Sequence, residues 1–467
     1  MIVSRSIYTK LCNLKANIRP NGIHVLTDKP KDKKIGYWEA TAIGVGGMVG
    51  GGIFAVLGLA VQLAHGGSPV AFAIAGIVAL LTAYSYTKLS VALPSQGGTV
   101  SFLDRAFGPG VLTGSLNVLL WLSYIVMLSL YSYAFGSYGA TFFPPESHAL
   151  WKHILITASI VTITGLNMLS ANIIGKAESW IVGLKIAILV LFVAVGMTGL
   201  QKASISPHSW SPPFELIAGG MIIFLAYEGF ELIANTAEDI RNPTKTLPRA
   251  FYTSVIFVII LYILVAAVTV GNLPVAQIVA AKDYALAEAA KPFLGQSGFT
   301  LIAVAALLST ASAINATLYG AGRLSYVIAK DGELPNFLKR EMWDKPLEGL
   351  LITAATTIVV ANLFDLSSIS TMGSAGFLLI FAAVNAANVR LADKTAGRRW
   401  ISIVGVGACL AALGALLWET IRTAPGRIFV LVIMAGMALA IEMGYRLFTG
   451  RRIHLPHHRP RKVPASE

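Results

Sequence analysis

Runs of about twenty apolar residues, each closed by a short polar or Pro/Gly-rich break, recur along the chain from residue 37 onward. A helix of that length covers roughly 30 Å of hydrocarbon, so the pattern predicts an all-α polytopic membrane protein. Twelve spans are predicted. The first six cover 37–64, 69–93, 110–139, 151–170, 177–200 and 214–237, and the remaining six 250–271, 298–329, 348–363, 366–390, 400–419 and 427–448. The stretch 272–297 is polar and Pro-flanked. It reads as a loop outside the spans.

Composition agrees with the pattern. Of the 467 residues 55% are hydrophobic and 13% charged, and the mean hydropathy is +0.69. Counted with Gly and without Tyr, the apolar share is roughly 61%, against about 45–50% in soluble domains, which excludes a water-soluble globule. The net charge of +13 would suggest nucleic acid if it formed a basic fold. It lies between the spans instead. Of 36 Lys and Arg, 29 fall on the side shared by the two termini, six on the other, and Lys185 alone inside a span. The positive-inside rule therefore predicts cytosolic termini in a cell membrane, with the bilayer as partner and no nucleic acid. The first 35 residues are polar and Lys-rich and read as a cytosolic tail without a cleavable signal. Cys12 lies in that tail and Cys409 in a late span, so no disulfide or thiolate metal site is expected. No HExxH, GxSxG or Walker loop occurs, which argues against an enzyme and leaves no cofactor to place.

Two spans look broken. Ile43 to Phe54 reads IGVGGMVGGGIF, with six glycines between Gly44 and Gly52. Each glycine costs about 1 kcal/mol in a helix interior relative to Ala. Non-helical backbone at mid-membrane is tolerated only where protein or a cavity receives its polar groups. Close packing through Gly46 and Gly50, a GxxxG spacing, is the plainer explanation for part of the cluster. Phe224 to Asp239 reads FLAYEGFELIANTAED and places Glu228 and Glu231 near mid-membrane, with Gly229 marking a possible break. The two breaks are five spans apart, the offset of an inverted five-helix repeat, and such pairs point to a transporter binding site. Half-helix N-termini suit an anion and half-helix C-termini a cation. A free amino acid carries both charges.

GGMVGGGIF in span one, FLAYEGFE followed by AEDIRNPTKTLPRA around span six, and NATLYGAGRLSYVIAKDGELP closing span eight resemble the amino acid, polyamine and organocation (APC) transporter superfamily. The resemblance runs from about Gly36 to Arg390 and is closest to prokaryotic proton-coupled amino acid permeases with the LeuT-type fold. It implies five-helix repeats over 36–200 and 214–390, followed by two further helices over 400–448 and a cytosolic tail over 449–467. It further implies that backbone N–H groups of Gly50, Gly51 and Gly52 meet the substrate carboxylate, and that carbonyls of about Met48, Val49, Leu225 and Glu228 hold the α-ammonium. Leu225, Ala226, Tyr227 and, less directly, Tyr124 would face the substrate side chain. The segment 272–297 would be the outer loop helix that closes over the site.

Lys185 is the sharpest single residue. It lies nine residues beyond Lys176, and at about 1.5 Å per residue that is roughly 13 Å deep, near the centre of the hydrocarbon. Desolvation disfavours charge, so protonation there follows water access. By resemblance, this Lys in GLKIAILVLF stands where sodium-coupled relatives hold an ion. Its ammonium would lie between the carbonyls of Gly46 and Val49 and the hydroxyls of Ser309 and Ser312, with Thr310 the alternative one register away. A static ion pair with Glu228 or Glu231 is the competing reading. Glu228 departs from the family pattern and could select a cationic amino acid or a polyamine; Glu231 reads as structural, bonding freed backbone groups. Asp104, Arg105, Glu238, Asp239, Arg241 and Arg323 fall at cytosolic ends, as inner-gate ion pairs or as a solvated loop. His454, His457 and His458 read as incidental members of a basic tail.

The expected function is secondary transport of an amino acid, with H+ as coupling ion. A cationic amino acid or polyamine carrier or exchanger is the first alternative, and a channel or nutrient receptor on the same scaffold the second. Substrate identity and oligomeric state are not legible.

Overall fold

The glycine cluster does break the first span. Helix α1 (Tyr37–Met48) ends where Val49 N bonds Val45 O and Gly50 N bonds Gly47 O, and α2 (Gly52–Ala64) starts where Ala55 N bonds Gly51 O, the two meeting at 44°. In this computed structural model, residues 35–95, 97–169, 171–330, 332–335, 338 and 347–449 are described. Cys12, His454, His457, His458 and nearly all of the two predicted tails lie outside the described residues.

The second break differs from the expectation. Helix α8 (Pro213–Ile222) gives way at Ile223 to a 3-10 helix over Phe224–Asp239, bent by 42°. Gly229, six residues later, lies inside that 3-10 stretch. It serves a close backbone approach: a Cβ there would sit 2.2 Å from Gly47 C and 2.4 Å from Met48 N. A 3-10 run of 16 residues is far beyond the usual three or four. The groups it frees are received by α13 (Leu366–Arg390). Ser370 and Ser374 both donate to Ile222 O (2.7 and 2.8 Å), and Leu225 N donates to Ser374 Oγ (3.1 Å). Their spacing, i and i+4, puts both hydroxyls on one face of α13.

The remaining elements in chain order are α3 (Ser68–Ala92), α4 (Thr99–Phe107), α5 (Val111–Ala140), α6 (His148–Leu169), α7 (Ala171–Gly196), α9 (Pro243–Asn272), α10 (Val275–Ala280), α11 (Ala285–Lys330), α12 (Leu347–Leu363), α14 (Arg399–Thr423) and α15 (Gly426–Thr449). Among the described residues there is no β-strand, and nine helices are long and apolar enough to cross a membrane, or eleven with each bent pair as one span. The predicted ninth span is the shorter apolar helix α12. One feature was not foreseen: helix α4 lies between the second and third spans and buries Val100, Phe102 and Leu103 against its neighbours. Helix α11 turns at Gly295, whose φ of 63° favours glycine, so a short leading helix, within the stretch 272–297, precedes the span proper.

Burial orders the bundle. Gly52 to Val61 are buried throughout, as are most residues of α5 and α13. Helices α6, α14 and α15 carry the exposed apolar side chains Leu150, Val161, Trp418, Phe429 and Leu447, as a lipid-facing perimeter requires. Lys185 is not the only basic residue buried within a spanning helix. Arg446 is buried in α15 and bonds the buried carboxylate of Glu442 one turn earlier. The sequence count places it with the cations on the side of the termini. That carboxylate packs where a Cβ on Gly114 of α5 would stand.

Candidate functional site

Breaking a helix exposes carbonyls at the end of its first half and N–H groups at the start of its second. Here the carbonyls are received by four side chains from four other helices. Lys185 Nζ of α7 donates to Gly46 O (2.9 Å). Tyr262 Oη of α9 donates to Met48 O (2.6 Å) and approaches Ala226 O (3.3 Å). Ser309 Oγ of α11 donates to Val49 O (2.7 Å) and makes a short contact with Gly50 O. Tyr131 Oη of α5 reaches Gly47 O at 3.5 Å. Across the gap, Ala55 N is the first to close a turn of α2, so the N–H groups of Gly52, Ile53 and Phe54 precede the hydrogen-bond ladder.

Lys185 thus meets the first of its two expected carbonyls, Gly46, and is 1% exposed despite its charge-bearing head. Val182, one turn earlier on α7, presses on Gly46 at 3.0 Å from an added Cβ, so the small residue is what lets α7 approach. Val49 O is served by Ser309. Ser312 is buried on the same face of α11, and Thr310 donates back to Ala306 O (2.7 Å).

The glycines have different uses. A Cβ on Gly52 would meet Ala226 Cα at 2.7 Å, one on Gly51 the Tyr131 ring at 2.3 Å, and one on Gly50 the Ala313 Cβ at 2.7 Å. The break of the first span therefore touches α5, α11 and the 3-10 helix at once. Leu225, Ala226 and Tyr227 are buried at the second break, but Tyr227 Oη is directed away to Phe72 O (2.9 Å). Tyr124 is buried on α5, and its hydroxyl accepts from Asn235 Nδ2 at 3.4 Å.

Glu228 and Glu231 are both buried and stand three residues apart, where a 3-10 helix eclipses its side chains. Glu231 Oε2 accepts from Tyr86 Oη (2.9 Å) and Thr99 Oγ1 (3.4 Å). Its partners include hydroxyls of α3, α4 and, through Tyr124, α5, and are not the freed backbone groups expected for it.

The sequence matches the amino acid permease family over residues 35–439. The chain belongs to that family. It is 38% identical to an uncharacterized protein of Methanocaldococcus jannaschii over 83% of this chain and 89% of that one. It is 34% identical to the inner membrane transport protein YbaT of Escherichia coli, over 83% and 90%. It is 25% identical to the methylthioribose transporter of Bacillus subtilis, over 80% and 86%.

In this permease both ends of the broken spans are covered. At the predicted outer face, α10 and the turn after it lie over α2. The Lys282 carbonyl sits 2.1 Å from where a Cβ on Gly58 would be, and Asp283 meets Lys152 (3.8 Å) and Ser137 (3.5 Å). This segment falls within 272–297. Nearby, Asp365 caps α13 through Ser368 N (3.2 Å) and meets Arg427 (3.2 Å). Partial burial pushes its carboxyl up, but the Ser368 hydrogen bonds and the Arg427 charge outweigh this and hold it below its ordinary value of 3.8. At the predicted inner face, Ile35 N bonds Asp239 O (3.1 Å) and Arg241 N bonds Ile35 O (2.9 Å), so main chain ties the entry of α1 to the end of the 3-10 helix. Asn117 Nδ2 donates to Asp104 (3.2 Å) and to the buried Glu333 (2.7 Å). Arg323 stacks over Tyr319, 5.7 Å from its centroid.

Sequence reasoning missed Tyr262, Tyr131, Ser370, Ser374 and Glu333. A hydroxyl inside an apolar run is ordinary composition until a neighbouring helix is known to be broken opposite it.

Proposed function

We propose that this permease carries an amino acid across the cell membrane by alternating access, with both termini cytosolic, and that Lys185 couples this to a proton. One observation supports the reading above all. The carbonyls of Met48, Val49, Gly50 and Ala226 converge on the junction of the two breaks, while the N–H groups of Gly52, Ile53 and Phe54 open the second half-helix beside them. The first set attracts an ammonium group and the second a carboxylate. Both recognition elements are main chain, so side-chain preference must come from surrounding groups such as Leu225 and Tyr124.

Lys185 joins the proton to this geometry through Gly46 O. A charged ammonium makes a stronger hydrogen bond than a neutral amine, so losing its proton loosens α7 from the end of α1. Access of water from one side or the other would then set both protonation and the position of the first half-helix. Buried Glu228, at the same junction, supports a narrower alternative in which a cationic side chain is selected.

The test is uptake into proteoliposomes. The twenty standard amino acids and common polyamines are first screened by thermal shift, and the best binder is then offered with an imposed pH gradient. Accumulation above equilibrium supports coupled transport. Flux that ignores the gradient removes the coupling, and binding of none of the amino acids removes the substrate class. Cationic binding that survives Glu228→Gln removes the selecting role.

A further inference from the structure

Donors and acceptors at the junction do not balance. A phenol has one O–H to give, yet Tyr262 Oη lies 2.6 Å from Met48 O and 3.3 Å from Ala226 O. One proton therefore serves two carbonyls, one from each broken span. The ring is fully buried, held edge-on to Phe72 at 5.6 Å and tilted against Tyr227 at 5.2 Å, and Tyr227 is itself pinned through its hydroxyl to Phe72 O, so what yields to a better donor is the O–H bond, which turns about the C–O axis. Gly52 packs directly on Ala226, which places the longer of the two contacts beside the start of α2.

Resting on the amino acid reading above, we infer that Tyr262 is a resident stand-in for the substrate's ammonium group: its hydroxyl tides the Met48 and Ala226 carbonyls over while the carrier is empty, and the substrate competes with it. An ammonium brings three N–H donors, so it satisfies both carbonyls where the phenol satisfies one well and one poorly. The arrangement serves the return of the empty carrier. Without a resident donor, the buried Met48 carbonyl would be left unsatisfied and the Ala226 carbonyl would lose its second partner each time substrate departs. Tyr262 is thus a positioning residue acting on the empty state, and its cost is a weaker hold on substrate.

The experiment measures binding, net uptake and exchange with the amino acid that gives the largest thermal shift of the standard twenty. In Tyr262→Phe the competitor is gone, so binding should tighten about three- to tenfold. Net uptake should fall while exchange, which never passes through the empty carrier, persists. A second variant keeps the test decisive if Tyr262→Phe does not fold. 4-Aminophenylalanine introduced at position 262 offers two N–H donors, satisfies both carbonyls and should weaken binding. Weaker or unchanged binding in Tyr262→Phe, or loss of exchange in proportion to net uptake, overturns the inference, as does unchanged binding with 4-aminophenylalanine. A wild-type protein that binds none of the twenty amino acids would instead overturn the reading on which it rests.

Discussion

Substituting Gly229 by Ala tests the contact that sets the relation of the two broken spans. The added Cβ would stand 2.2 Å from Gly47 C and 2.4 Å from Met48 N, and both atoms are backbone with no rotamer to yield. Ordinary contact begins near 3.4 Å, so α1 and the 3-10 helix must separate by at least about 1.2 Å. Overpacking of this kind costs about 1–3 kcal/mol, and the gain from replacing glycine within a helix returns at most about 1 kcal/mol. The net destabilisation is on the order of 1–2 kcal/mol. Function should suffer more than stability. A separation of that size takes Tyr262 out of hydrogen-bond reach of one of its carbonyls, and misplacement by about 1 Å costs roughly a hundredfold in an oriented site. The assay is paired: thermal denaturation in detergent, and initial uptake rate in proteoliposomes. Gly407→Ala is the control, because nothing lies within 4 Å of a Cβ there. If Gly229→Ala melts and transports like Gly407→Ala, the two backbones are not in the contact described and the reasoning fails.

Further outcomes follow from the same geometry. Ser309→Ala leaves Val49 O and Gly50 O without their shared donor, which should cost about 1–3 kcal/mol and slow transport, while Ser312→Ala should change both less; denaturation and uptake of the two variants decide it. Asp365 has a lowered pKa, so its charge stabilises the fold at pH above the ordinary carboxylate range, and that contribution is lost as pH falls through the lowered value. The melting difference between wild type and Asp365→Asn should therefore be present at pH 7 and shrink toward zero in acid below about pH 3.8. A difference independent of pH would show that the cap matters through its shape alone.

Much of the fold was readable because the physics is local. Apolar runs of span length leave few options for the chain, and a cluster of six glycines can hardly remain helical. The depth of Lys185 was readable too, since a basic residue there must find a partner, but its carbonyl partner Gly46 came from the family resemblance. What could not be read depends on which helices face each other. The second break falls at Ile223, where no glycine marks it, because Ser370 and Ser374 on α13 receive the freed groups there. Gly229 looked like a break and is a contact, since the same residue type serves both needs. Glu231 found Tyr86 and Thr99 rather than backbone. Arg446 looked like tail charge, yet Glu442 on the preceding turn keeps it within the last spanning helix.

In the proposed mechanism Lys185 carries the coupling proton while main chain holds the substrate. The most direct measurement compares wild type and Lys185→Ala in proteoliposomes by two assays on one preparation: accumulation driven by an imposed pH gradient, and exchange of labelled for unlabelled substrate at equal pH. The variant should lose gradient-driven accumulation and keep exchange. Accumulation that still follows the pH gradient in Lys185→Ala would contradict this mechanism.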